Sequence, residues 1–212
     1  MQISNHKLGY WTALMGIALT FIYLGAVAGM FVSGTIPPAE PYISMISVVS
    51  LASVPVFVFL WAILHNVAST GKKVFTQTSL SLIVIFATLT SINRYVALTV
   101  VRQSIDMSIT DGLNWFMPYG WPSVMAAMEV LAWGFFLGLA MFFLAPVFRT
   151  GRLELAIFWT LIISGIFSLI AVIGQVMNSV LLNMLGIIAW GPGLLILFSL
   201  LGFWFKSSKR SQ

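Results

Sequence analysis

Cysteine is absent from the chain. Disulfides, thiolate nucleophiles, iron–sulfur clusters and cysteine zinc sites are excluded together. Charge is scarce too: 7% of the 212 residues are Asp, Glu, Lys or Arg, where a soluble domain carries about 25%. Five acidic residues are too few for carboxylate-rich cation coordination. One histidine inside an apolar run, His65, cannot supply the two axial ligands of a bis-histidine haem. No lysine interrupts those runs, which rules out a retinal Schiff base. Gly71-Lys72-Lys73 lacks the upstream glycine of a phosphate loop, and neither Gly-x-Ser-x-Gly nor His-Glu-x-x-His occurs. Asp106 and Asp111 share a loop without further ligands. Neither a metal nor a cofactor is expected.

What the chain has in abundance is apolar length. Hydrophobic residues make up 60%, and the mean hydropathy is +1.04. Six apolar runs near 8–31, 43–66, 77–100, 123–148, 155–177 and 182–205 are each long enough to cross a hydrocarbon layer, which takes about 20 residues. The expected fold is all-α: a polytopic membrane protein, one six-helix transmembrane bundle over 1–205 with a short basic tail at 206–212. Lys7, Lys72, Lys73, Arg149, Arg152, Lys206, Lys209 and Arg210 all fall on one side of such a threading. The other side has Arg102 with Glu40, Asp106 and Asp111. By the positive-inside rule both termini are cytoplasmic. The net charge of +5 is thus an orientation signal, and nucleic acid is not an expected partner. The expected location is a bacterial or archaeal plasma membrane, with the lipid bilayer as the main partner. Ala26-Val27-Ala28 resembles a cleavage site, but the run before it is longer than a signal-peptide core, so an uncleaved helix is expected.

Two loops face outward in this threading. Ser33–Tyr42, with Pro37, Pro38 and Pro41, is expected to be extended. The longer loop 105–122 carries Trp115-Phe116-Met117-Pro118-Tyr119-Gly120-Trp121. It reads as an aromatic belt at the headgroup layer or as a re-entrant segment. Thr70-Gly71-Lys72 and Thr150-Gly151-Arg152 occupy corresponding cytoplasmic turns, a hint of duplication of spans two and three onto four and five.

Arg94 and Glu129 lie inside apolar runs and fall at similar depth if spans three and four form a hairpin. An intramembrane ionisable residue is by default a functional hypothesis. Three readings are open: an arginine holding an anionic group with Glu129 as proton acceptor, an ion pair that fixes helix register, or an arginine snorkelling to the interface. Ser164, Ser168, Ala171, Gln175 and Asn178 make one small, polar face of span five, and Asn183 begins span six. Asn93, Arg94, Glu129, Gln175, Asn178 and Asn183 therefore form a candidate ligand-binding vestibule facing outward, with interhelical hydrogen bonding as the structural alternative. Trp190-Gly191-Pro192-Gly193 is expected to kink span six, and Pro55 span two. Gly25-x-x-x-Gly29 and Gly134-x-x-x-Gly138 permit close helix approach, within the bundle or between copies. His65 reads as a hydrogen-bonded structural histidine.

Three function classes follow. One is a protein that binds or transports a small polar or anionic solute, or a lipid headgroup, around Arg94 and Glu129. Another is an accessory subunit packing against partner helices or copies of itself. The third, an intramembrane enzyme with Glu129 as acid/base, has few titratable groups to work with. Reporter fusions test the threading that all three share. A reporter inserted in the Gly71 turn and one in the Gly151 turn are both expected to read out as cytoplasmic, and one in loop 105–122 as external.

Overall fold

In hydrocarbon no water satisfies peptide groups, so apolar runs of this length fold as helices that bond internally. The structure, a computed structural model, describes residues 4–34, 40–109, 111–117 and 122–208. Pro37, Pro38, the Pro118–Trp121 part of the aromatic stretch, and Lys209 and Arg210 lie outside the described residues. Among the described residues six helices are long and apolar enough to span a membrane: α1 (Asn5–Ser33), α2 (Tyr42–Val67), α3 (Thr70–Asp106), α4 (Val124–Val147), α5 (Arg152–Val176) and α6 (Val180–Ser207). These six helices mark a multi-pass membrane protein.

Helix ends follow local chemistry. Ser4 accepts from the Lys7 N–H at the start of α1, and Gly34 closes it in the left-handed region at φ +67°. Ser123 caps α4 by accepting from the Met125 and Ala126 N–H groups. α3 departs most from expectation. It was expected over 77–100, yet it runs 37 residues to Asp106, about 55 Å at 1.5 Å per residue. Its last turns are polar but remain helical. α1 and α2 also grow into the proline loop, which leaves less chain between them than expected.

Sequential helices pack side by side, and α1 against α6 closes the ring. Gly9 and Gly16 of α1 lie directly beneath the Phe205 and Phe198 rings of α6, so that seam relies on missing side chains. The centre is filled by an aromatic knot. Phe57 of α2 meets Phe86 of α3 edge-on at 5.2 Å, Phe86 meets Trp133 of α4 at 4.9 Å, and Phe57 meets Phe198 of α6 at 5.4 Å. The apolar cluster around it runs toward the end that carries the Gly71 and Gly151 turns, called here the basic end.

Polar bonds lock the basic end. Lys72 Nζ donates to the Val147 carbonyl at 2.7 Å, and Lys73 Nζ donates to the His65 carbonyl. His65 Nδ1 meets Thr76 Oγ1 at 2.8 Å. The two matching turns are built differently: Thr70–Lys72 is a 3-10 turn, whereas Gly151 sits at φ +96°. Their shared sequence thus produces two local geometries.

Gly134 and Gly138 both face α5. A Cβ on Gly138 would stand 3.1 Å from the Ser168 Cβ and 3.3 Å from the Gly165 carbonyl, while one on Gly25 would meet nothing within 4 Å. Gly138→Leu is therefore expected to destabilise the bundle by about 1–3 kcal/mol, as overpacking does. Gly25→Leu is expected to leave it unchanged. Unfolding of both variants in mixed detergent micelles measures the difference.

Candidate functional site

The inner face of α3 repeats at helical spacing: Ser79, Ile83, Phe86, Thr90, Asn93, Arg94 and Ala97 are buried. The apolar residues of this stripe reach into the aromatic knot, and the polar ones continue it away from the basic end. Asn93 Nδ2 donates to the Met125 carbonyl at 2.6 Å, pinning α3 to the first turns of α4. Glu129 stands one turn further along α4 than Met125. Arg94 Nη2 donates to Glu129 Oε1, closing an ion pair. Arg94 is 1% exposed and Glu129 16%. Snorkelling is therefore not what Arg94 does, because a carboxylate held at its own depth offers an ionic partner. The charge pair of the sequence reading forms.

Two hydrogen-bonded sets form among the six candidate residues. Asn93, Arg94 and Glu129 gather between α3 and α4. Gln175 and Asn183 bond to each other across the α5–α6 turn, Asn183 Nδ2 donating to Gln175 Oε1 at 3.3 Å. Asn178 is exposed in that turn, in the left-handed region at φ +51°. The short α5–α6 connection brings these two amides together, and Asn183 Oδ1 stays buried without a partner of its own. Of the polar face on α5, Ser168 accepts from the Trp190 indole N–H at 3.0 Å.

Buried hydrogen bonding divides the interior into two halves. Toward the basic end, buried hydroxyls have partners, although His6 Nδ1 beside Trp204 has none: Ser79 accepts from Trp61 Nε1 at 2.7 Å and donates to the Ala140 carbonyl at 2.6 Å. On the other side of the aromatic knot, Ser47, Ser50 and Thr90 hydroxyls, Asn93 Oδ1, Glu129 Oε2 and Trp133 Nε1 are buried without a hydrogen-bond partner. Hydroxyls on apolar helices ordinarily bond back to the carbonyl one turn earlier, as Thr12, Thr20, Thr88, Ser91, Thr99 and Thr160 do here. Ser47, Ser50 and Thr90 do not. Buried polar atoms left open in a native interior call for water, an ion or a ligand. Sequence patterning located Asn93, Arg94 and Glu129 but had no signal for Ser47, Ser50, Thr90 or Trp133, since a serine on an apolar helix reads the same whether or not it bonds backward.

Three π-helical segments lie beside these atoms. Ala97–Val101 follows Arg94 on α3, Leu131–Phe136 follows Glu129 on α4, and Ala189–Gly193 contains Pro192 on α6. The kink expected at Trp190-Gly191-Pro192-Gly193 takes this form. Pro55 does not break α2, which is helical from Tyr42 to Val67. Such bulges re-aim side chains and recur at functional sites. Beyond Arg94, the end of α3 and the start of α2 enclose a hollow of about 330 Å³ with Glu40, Ser44, Arg102 and Asp106 on its walls. Among the described residues no group of three His, Cys, Asp or Glu side chains is placed to hold a metal ion.

Arg94→Ala and Glu129→Gln are each expected to lower stability by about 3–5 kcal/mol, the usual effect of leaving one buried charge without its counter-ion. The double variant is expected to recover much of the loss. Detergent unfolding of the four proteins measures the coupling. No family of known proteins, no curated protein and no solved structure matches the chain.

Proposed function

We propose that the protein binds or transports a small polar or anionic solute, or a lipid headgroup, at Arg94 and Glu129 in the outer half of the bundle. The positive-inside rule assigns the basic end to the cytoplasm. On that assignment the apolar knot seals the cytoplasmic half, and the polar interior faces outward. The observation that carries the reading is the set of buried atoms around Arg94 with no partner: Thr90 Oγ1, Asn93 Oδ1 and Glu129 Oε2. A pair serving stability alone gains nothing from such neighbours, because each open polar atom costs about 1–3 kcal/mol. The charged hollow at Glu40, Arg102 and Asp106 is the entrance in this reading.

The chemistry is an exchange of partners. An anion arriving at Arg94 displaces the Glu129 carboxylate, which then has no counter-charge in a buried setting and takes up a proton. One anion and one proton enter together, and the net charge of the interior is unchanged. Binding therefore strengthens as pH falls. Hydroxyl or N–H groups of the same solute donate to Asn93 Oδ1, the acceptor left open beside the arginine.

A second reading, an accessory subunit whose charge pair only fixes helix register, is favoured by the near-complete burial of Arg94 behind its own carboxylate. Calorimetry with isethionate, a hydroxyl-bearing monoanion that does not titrate near neutral pH, on the purified protein separates the two. The transport reading expects affinity to rise as pH is lowered, to become nearly independent of pH in Glu129→Gln, and to drop at least tenfold in Arg94→Ala. Heat of binding that is absent at every pH, in all variants that remain folded, supports the accessory reading.

A further inference from the structure

A second cleft lies apart from the ion pair, where α1, α2, α4 and α6 meet at the ring seam. Thr20 and Tyr23 of α1, Ser50 of α2, Trp133 of α4, and Trp190 and Phe198 of α6 are among the residues that line it. We propose that this cleft binds a thin, lipid-soluble molecule through a carbonyl oxygen, with Ser50 and Trp133 as the donors.

The wall chemistry identifies the ligand class. Ser50 Oγ and Trp133 Nε1 are both buried, both unpartnered and both on residues that line the cleft. An indole N–H only donates, and a hydroxyl donates as readily as it accepts, so the complementary group is an oxygen acceptor. The other indole, Trp190, is already committed to Ser168. Among the other polar lining groups Thr20 donates to the Gly16 carbonyl and Ser53 to the Ser50 carbonyl. Cations and anions have no counter-charge among the lining residues, which excludes a charged ligand.

Shape limits the ligand further. About 360 Å³ of space lies between the walls, counting the part open to the surroundings, but the room left for the centre of a water-sized group amounts to about 20 Å³. That is one oxygen's worth of room. Only the carbonyl enters fully, and the body of the ligand lies as a flat ring or a single acyl chain along Leu19, Tyr23 and Leu194. Both indoles sit on π-helical segments, Trp133 within Leu131–Phe136 and Trp190 within Ala189–Gly193, with ring centroids 6.3 Å apart. Two bulges converging on one cleft are a second observation, independent of the open donors, that this wall is shaped for an occupant. The chemistry shared by the two sources is an apolar body ending in a carbonyl: a quinone ring or the ester of a membrane lipid.

The test uses the full-length protein in a detergent free of carbonyl groups. A short-chain benzoquinone and a monoacylglycerol are titrated separately, with a chain-matched alkane as control, and tryptophan fluorescence and the thermal midpoint are followed. Saturable binding of the quinone identifies a quinone source, and displacement or replacement of that signal by the monoacylglycerol identifies a lipid source. Either signal is expected to weaken about fivefold in Ser50→Ala and in Trp133→Phe, the loss of one neutral hydrogen bond each. Ser53→Leu, which fills the cleft without touching either donor, is expected to abolish it while the fold is retained. Arg94→Ala is expected to leave it unchanged, which keeps this site distinct from the ion pair. Binding equal for the alkane, or unaltered in folded Ser50→Ala, Trp133→Phe and Ser53→Leu proteins, would overturn the proposal.

Discussion

A guanidinium enclosed in an apolar bundle must be neutralised where it stands, and the rest of this structure is arranged around that requirement. Arg94 has almost no exposed surface, so its charge cannot be shared with solvent, and Glu129 meets it from the adjoining helix. To hold that geometry α3 and α4 must stay in register. The Asn93 bond to the Met125 carbonyl fixes them near the pair, and the Lys72 bond to the Val147 carbonyl fixes them at the basic end. Between these two clamps lies the aromatic contact of Phe86 with Trp133. The pair itself is weak support for stability, because desolvation offsets most of its Coulombic gain. Its importance is that it dictates what surrounds it.

The interior is correspondingly unequal. On the basic side of Phe57, Phe86 and Phe198 the bundle is packed like an ordinary core, and Ser79 is satisfied at both its donor and its acceptor. On the other side the same helices present open hydroxyls, an open amide oxygen and an open carboxylate oxygen. π-Helical turns are confined to α3, α4 and α6 among the described residues; that of α3 follows Arg94, and that of α4 follows Glu129 and contains Trp133. A bulge shifts every side chain after it around the helix axis. On α4 the bulge thus separates two regimes of packing along a single helix, with Glu129 before it and the close apolar packing of Leu137–Leu144 after it, whereas on α3 the bulge lies beyond Arg94.

The helices and the charge pair were legible in the sequence for a simple reason. Hydropathy is additive along a run, and one arginine or glutamate within it stands out. The register of α3 was legible too, since Asn93 and Arg94 lie on the stripe that continues from Phe86. Other features were not. The extension of α3 to Asp106 is hidden because its last turns are polar and look like loop. The bond between Gln175 and Asn183 depends on how α5 and α6 turn back on each other, which periodicity within a helix does not encode. The bulges in α3 and α4 contain neither proline nor a shared motif, whereas the one in α6 is marked by Pro192. Whether Ser50 bonds backward is a matter of a single rotamer.

The seam between α1 and α6 has one more consequence. It joins the two spans most distant in sequence, so it is the contact whose closure carries the largest entropic penalty during assembly. Gly9 and Gly16 keep α1 close enough for Phe205 and Phe198 to cover them, but α1 is also the least enclosed of the six helices. The cleft bearing Ser50 and Trp133 is cut into this same junction. Any molecule that settles there acts as a fastener for the last joint of the ring to form, by the mass-action rule that a ligand favours whichever state holds it. Recruitment of a hydrophobic guest and completion of tertiary assembly are then a single equilibrium.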